Sequence, residues 1–305
     1  MVIEPVKTSR PLIEMLSFTP VEPGRPGKDA IAAYARDGVT CLRSAFEPRW
    51  IERLGEGMEV AIANGTQEQE KAEPRVALDG ERVFNVGKRG EPGFFFYDTF
   101  MWQRMEQFRE FIFDSPIADY ARRIMRSESL IFYFDFMLVK EPRTSMVTPW
   151  HYDESYWPIS GDQACNLWVA LDHMPMETVL HFVRASHRWE HSYRAVHFAN
   201  QTSPEIDYAN LPDLPRVPNW HEEPGDHEII YAPLEPGDCL IFHNRTHHFG
   251  PGNSLPATRR RALATHWFGD DVRYNDKAQE TDPPYRGENL VHGGSMECET
   301  FVRVR

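Results

Sequence analysis

From residue 130 onward the chain is a succession of short aromatic and β-branched runs, each closed by turn-forming residues, and this pattern limits its possible folds more than any other feature. The runs lie at 130–139, 164–171, 179–183, 227–231, 239–243 and 262–268. They have strand length, and their side chains suit a pleated, half-buried surface. No alternating βαβ pattern links them, so a parallel sheet has no support, and an antiparallel α+β or jelly-roll arrangement is expected.

Before residue 130 the period is helical. Ile31, Tyr34 and Ala35 share a stripe stopped by Asp37-Gly38, and a short strand at 39–42 follows. Trp50, Ile51, Leu54, Met58 and Ala61 mark a helix over about 48–63, with Asn64-Gly65 as its stop. Ser115-Pro116 opens another helix carrying Ile117, Tyr120, Ala121 and Ile124, which should end near Arg126. The expectation is one domain over 1–305, with an extended arm at 1–28 and a mainly helical part at 29–129. A β core follows at 130–270, with an insertion at about 189–224 and a C-terminal extension at 271–305. The charged, glycine-punctuated stretch 67–93 has the length and composition of a lid.

Charge narrows the function classes. The formal net charge is −13, and Arg259-Arg260-Arg261 is the longest basic run, which argues against nucleic acid or an anionic membrane as partner. Four scattered cysteines (Cys41, Cys165, Cys239, Cys298) form no C-x-x-C pair and read as reduced thiols. With no signal peptide and no membrane-length apolar segment, a cytoplasmic protein is expected. Oligomeric state is not legible. G-x-S-x-G, P-loop and G-x-G-x-x-G motifs are absent from the sequence, so hydrolase, nucleotide-binding and dehydrogenase readings have no foothold.

The chemistry gathers in two segments. One is Thr148-Pro149-Trp150-His151-Tyr152-Asp153; the other runs from Gly237-Asp238 through Cys239–His243 to Asn244-Arg245-Thr246-His247-His248. On an extended strand residues i and i+2 project to one face, so His151 and Asp153 can bind one ion together. Two histidines and a carboxylate on one face of an octahedron leave three positions open, which suits non-haem Fe(II) with a bidentate oxo-acid and O₂. An H-x-D pair also recurs by chance in a chain with 13 histidines, but here both segments sit at strand ends where ligands can converge. His243, His247 and His248 compete for the third position. His243 ends an apolar strand, and His247 faces oppositely to His248 if the chain stays extended.

The order of several blocks resembles the phytanoyl-CoA dioxygenase family of Fe(II)/2-oxoglutarate oxygenases. These are "LVKEP" at 138–142, "TPWHYDESYWP" at 148–158, "LWVALD" at 167–172, "FVRASHRW" at 182–189, "PGDCLIFHNRTHHFGPGN" at 236–253 and "RRALATHWF" at 260–268. The resemblance implies a double-stranded β-helix with helices packed outside. It also implies Fe(II), with 2-oxoglutarate and O₂ as cosubstrates. His248 then fills the distal ligand position, five residues before Asn253 as in the family's H-x-x-x-x-N. An arginine on the next strand is implied to take the distal carboxylate of 2-oxoglutarate, which a guanidinium fork suits. Arg259 and Arg260 both qualify, and the R-x-A-L pattern leans to Arg260. Trp168 matches a tryptophan that lines the cosubstrate, though an indole on a core strand serves equally as packing.

Three positions depart from the family: Tyr152 where glutamine is common, Ala185 where a glycine turn is common, and Phe249 where a small residue is usual. Ala185 suggests a less sharply turned backbone, and Phe249 a reshaped substrate side. Tyr152 and Trp157 are the substrate-binding candidates. The aromatics at 94–97, Phe100, Trp102, Tyr156 and Trp157 are either core beneath the helices or a pocket wall. Related halogenases lack the carboxylate that Asp153 supplies, so the resemblance implies hydroxylation. The competing class is a cupin-like, non-oxidative metal-binding protein or isomerase, which would need no buried arginine for a dicarboxylate.

Overall fold

The computed structural model describes residues 18–20, 26–69, 84–86, 93–195, 214–223, 225–276 and 289–304. The expected arm, most of the expected lid at 67–93, and parts of the insertion and C-terminal extension lie outside the described residues.

The elements run β1 (Phe18–Pro20), α1 (Lys28–Asp37), β2 (Val39–Arg43), α2 (Pro48–Gln69), β3 (Phe84–Val86), β4 (Phe95–Thr99), α3 (Met101–Arg104), α4 (Glu106–Asp114) and α5 (Ile117–Met125). The strand-rich part follows with β5 (Leu130–Lys140), β6 (Thr148–His151), β7 (Ile159–Ser160), β8 (Ala164–Ala170), β9 (His181–Val183), β10 (Ile229–Ile230) and β11 (Cys239–His243). Last come β12 (His248–Gly250), β13 (Arg260–Phe268), β14 (Arg273–Tyr274) and β15 (Val302–Val304). A large sheet has the order β1-β2-β11-β8-β13-β5-β4-β3 with β15 also on β5; a small one has β10-β9-β12-β6. Only β1 and β2 pair in parallel among these strands. The two sheets form the jelly roll, as the strand pattern implied.

The helical part differs from its sequence reading in three respects. α2 continues past Asn64-Gly65 to Gln69, because the glutamine- and glutamate-rich turn that follows is good helix-forming sequence and outweighs one glycine. The aromatic run at 95–99 is a strand, paired with β5, and α3 and α4 follow it. The β core also reaches outside 130–270: the strand expected at 39–42 is β2, and it pairs with β11 inside the large sheet.

Alternation assigns the two faces of the large sheet. Met137, Val139, Leu167, Val169, Ile241 and Leu263 join Leu54, Met58, Phe108, Phe111, Tyr120 and Ile124 in the core beneath the helices. A fully buried side chain of this size contributes about 1.5–3 kcal/mol, so this layer clamps the sheet flat against α2, α4 and α5. The opposite face reads across β5, β13, β8 and β11 as rows. Phe134, His266, Asn166 and Phe242 make the first; Phe136, Ala264, Trp168 and Leu240 the second. Leu138, Ala262 and Ala170 make the third, and Lys140 and Arg260 the last. This face turns toward the small sheet, and the alanines in its middle rows leave a trough between bulkier neighbours. Among the described residues no helix is long and apolar enough to cross a membrane.

Candidate functional site

His151 ends β6 and His248 begins β12, and the two are directly paired across the small sheet. Their rings therefore stand side by side, with centroids 4.0 Å apart. Asp153 is not on the strand. It opens a 3-10 turn, Asp153–Tyr156, and its backbone N–H donates to the Asn244 carbonyl (2.9 Å). The i, i+2 argument placed the carboxylate correctly for a different reason: this turn, anchored on the loop after β11, brings it back to the histidines. Asp153 Oδ1 lies 3.6 Å from His151 Nε2, and Asp153 Oδ2 lies 3.9 Å from His248 Nε2. Among the described residues these three side chains form the group whose ligand atoms all lie within 4.8 Å of one another.

Each imidazole is held from behind. His151 Nδ1 donates to the Pro149 carbonyl at 2.8 Å and His248 Nδ1 to the Thr246 carbonyl at 2.9 Å. A carbonyl only accepts, so each Nδ1 carries a proton and each ring turns its Nε2 toward the carboxylate. Burial lowers the His248 pKa to about 4, with neighbouring His151 adding to the effect. Burial alone would raise Asp153, but the charges and hydrogen bonds of His248 and His151 hold it at about 2. At neutral pH His248 is uncharged and Asp153 ionised, as ligands must be.

The competing histidines fall elsewhere. His247 lies on the outer side of the small sheet, where it accepts from Trp220 Nε1 at 3.1 Å and stacks on Tyr152 at 5.1 Å. His243 ends β11 toward Tyr34, His187 and Asp162. Tyr152 is likewise turned outward, its hydroxyl donating to the Tyr193 carbonyl at 2.8 Å, so this substrate candidate does not face the metal ligands. Phe249 also points outward, against Trp150 and His221, and leaves the inner pocket unreshaped. Ala185 adopts φ 60°, so the turn is as sharp without glycine, held by its N–H donating to the Asp37 carbonyl at 2.8 Å.

The two arginine candidates part company. Arg259 faces Glu141, with Nε 2.9 Å from each carboxylate oxygen, and also contacts Glu59. Arg260 points into the trough, 5 % exposed, its guanidinium 5.3 Å over the Trp168 ring. Its guanidinium makes no hydrogen bond to a described residue, and the buried Nε has no partner. Burial lowers its pKa to about 10. A buried guanidinium with free donors above an indole fits a carboxylate ligand, and the His-Asp-His donor set fits Fe(II). Trp157 sits at the other end of the trough, 5.1 Å edge-on to His266.

Three residues at this site escaped the sequence reading. Asn166 Nδ2 donates to Asp153 Oδ2, and Asn166 Oδ1 in turn contacts His266 Nδ1. Lys140, 1 % exposed, donates to the carbonyls of Met146 (2.8 Å) and Pro251 (2.8 Å), tying the segment before β6 to the one after β12. The signal for Asn166 and His266 was even spacing: Asn166 lies two residues before Trp168, and His266 six after Arg260, on the same strand faces. Asn253 of the H-x-x-x-x-N pattern is a brace, its amide donating to the carbonyls of Lys140 (3.0 Å) and Thr258 (2.8 Å).

Comparison with known proteins agrees with this geometry. A family model described as phytanoyl-CoA dioxygenase (PhyH) matches residues 34–262. Among solved structures the chain resembles the non-heme alpha-ketoglutarate-dependent carbocyclase SnoK from nogalamycin biosynthesis, with TM-score 0.67 and 21 % identity over 94 % of this chain and 100 % of that one. The epimerase SnoN in complex with Fe3+, alpha-ketoglutarate and nogalamycin RO matches with TM-score 0.64 and 20 % identity, over 91 % of this chain and 98 % of that one. EctD from S. alaskensis, in its apoform, matches with TM-score 0.61 and 18 % identity, over 92 % of this chain and 91 % of that one. At these identities the likeness is one of fold. No curated protein matches the chain.

Proposed function

Because the chain belongs to the phytanoyl-CoA dioxygenase family, we propose that it is an Fe(II)- and 2-oxoglutarate-dependent oxygenase that hydroxylates a C–H bond of a small organic substrate. The observation that carries this reading is Arg260: a buried guanidinium with an unpartnered Nε, on the sheet face that looks toward the histidine and aspartate ligands. Leaving such a group unpaired is costly, and a carboxylate ligand relieves the cost. When bound, iron and 2-oxoglutarate supply the oxidising chemistry: one oxygen atom of O₂ enters succinate as CO₂ leaves, and the other enters the substrate C–H bond.

The protein's part is position and exclusion of water. His151 and His248 present Nε2 atoms oriented by their Nδ1 hydrogen bonds, and together with Asp153, held by Asn166, they would hold the iron. Because the related halogenases lack this carboxylate, Asp153 favours hydroxylation over halogenation. Arg260 would take the distal carboxylate of 2-oxoglutarate, with the Trp168 indole beneath its guanidinium as a flat wall. Phe182 and Phe242 pack on His248, with ring centroids 6.0 and 4.8 Å away, and keep bulk water from that side. A non-oxidative metal-binding protein gives no reason for Arg260 to be buried without an anion.

Anaerobic titration with Fe(II) and 2-oxoglutarate tests the reading. Wild type should develop the weak visible charge-transfer band and, with O₂ and a panel of small molecules, release succinate. Absence of the band in wild type, or its survival in His151→Ala, would sink it.

A further inference from the structure

A chain of hydrogen bonds running away from Asp153 fixes the protonation pattern of His266. An ionised carboxylate only accepts, so the atom of Asn166 that meets Asp153 Oδ2 is its amide nitrogen. The other side of the amide, Oδ1, therefore faces His266 Nδ1, and an amide oxygen also only accepts. Nδ1 of His266 thus carries a proton, and because burial lowers the His266 pKa to about 4 the ring is neutral at pH 7, so Nε2 carries a bare lone pair. His266 is 95 % buried, at 5 % exposure, and Nε2 has no partner among the described residues.

This lone pair stands in a particular setting. His266 lies in the first row of the large sheet's inner face, beside Asn166 and on the side of the trough that holds the metal ligands. Phe134 packs on its ring at 4.1 Å and Trp157 at 5.1 Å. Farther along the same face Phe136, Leu138 and Tyr97 are only partly buried although they point inward, which marks an open, uncharged, largely aromatic wall. Among the described residues the inward cations on this face are Lys140, engaged by backbone carbonyls, and Arg260. The carboxylates and oxo group of 2-oxoglutarate offer only acceptors, so they cannot satisfy a second acceptor at Nε2.

Resting on the oxygenase reading above, we propose that His266 Nε2 is the acceptor that orients the substrate, and that the substrate is an uncharged, ring-bearing molecule with a hydroxyl or N–H donor near the reacting C–H bond. His266 acts as a specificity residue. A site built around a buried acceptor discriminates strongly against an analogue that cannot donate, because the acceptor is then left unpaired.

The test uses full-length protein carrying ¹⁵N-histidine, loaded with Zn(II) as a diamagnetic stand-in for iron and with 2-oxoglutarate. The probes are benzyl alcohol and benzyl methyl ether, which differ in the O–H donor. The His266 resonances, assigned by their loss in His266→Phe, should report Nδ1 protonated and Nε2 bare. Benzyl alcohol should move the Nε2 resonance in the direction of hydrogen-bond acceptance and bind about tenfold or more tightly than the ether, a preference that His266→Phe abolishes. His266→Gln provides the assignment if the phenylalanine variant does not fold.

A protonated Nε2, an equal response to both probes, no response to benzyl alcohol, or a shift already complete with zinc and 2-oxoglutarate alone would each overturn the proposal. The Fe(II)·2-oxoglutarate band is measured separately. If it forms while the nitrogen shifts fail, only the substrate assignment falls; if it is absent, the oxygenase reading fails on its own ground.

Discussion

Replacing Arg260 by methionine should make the protein more stable without cosubstrate and unable to bind it. The guanidinium is 5 % exposed with an unpartnered Nε, and burial lowers its pKa to about 10. Against about 12.5 for a free guanidinium, at 1.36 kcal/mol for each pH unit of difference, holding the charge inside the trough costs about 3 kcal/mol. The sign follows from linkage. The folded state binds this proton less tightly than the unfolded chain, so the penalty is fully present at pH 7 and is removed only as the pH rises above about 10. Methionine removes the charge but also loses the stacking on Trp168, about 1–2 kcal/mol, which leaves a net gain of about 1–2 kcal/mol.

Urea unfolding at pH 7, with Zn(II) present and with or without 2-oxoglutarate, measures both halves of this claim. Wild type should gain about 2.7 kcal/mol when 2-oxoglutarate stands at a hundred times its Kd, and Arg260→Met should gain nothing. A variant that is less stable than wild type without 2-oxoglutarate, yet gains as much from it, would refute the argument.

Arg259→Ala is the matched control: its ion pairs with Glu141 and Glu59 are partly exposed, so stability should change by less than about 1 kcal/mol and 2-oxoglutarate should bind as before. Asn166→Ala frees the Asp153 carboxylate, and Fe(II) affinity in anaerobic titration should weaken by about 10–100-fold; an unchanged affinity would show that Asp153 needs no brace. Asp135 offers a pH test. It is fully buried beneath the helices, and burial raises its pKa to about 7 despite a 3.0 Å hydrogen bond from the Trp102 N–H. Because the folded state holds this proton more tightly than the unfolded chain, stability should fall as pH rises from about 4 to about 7, by at most about 4 kcal/mol. Asp135→Asn should flatten that slope in urea melts between pH 4 and pH 8, gaining stability at the upper end. An unchanged slope would mean that the charge is relieved by a neighbour such as Arg104.

Much of the centre could be read from local pattern. The H-x-D pair, the turn before β11 and the R-x-A-L strand are short-range signals, and the strand runs at 130–139, 164–171 and 239–243 reappear as β5, β8 and β11 within a residue or two. The aromatics at 94–97 were ambiguous because an aromatic cluster can serve as core or as pocket wall. Strand alternation divides the two roles: Phe94 and Phe96 pack beneath the helices, and Tyr97 meets Phe136 on the inner face at 5.4 Å. Tyr152 and Phe249 were misplaced for a related reason. Each is next in sequence to a metal ligand, and on extended backbone a neighbour in sequence points to the opposite face.

By itself, then, the amino-acid sequence determined the strand-rich class and the H-x-D pair, because these depend on spacing within one strand or turn, while the family resemblance implied the third ligand and a choice of two arginines. Tertiary structure alone decided the rest. Pairing of β12 with β6 brings His248 beside His151, and burial against Trp168 separates Arg260 from an Arg259 committed to Glu141. Pairing of β13 with β8 sets His266 against Asn166 and so fixes which of its nitrogens is free. Each of these depends on a partner far away in the chain, and hydrogen-bond direction and desolvation are properties of the partner as much as of the residue.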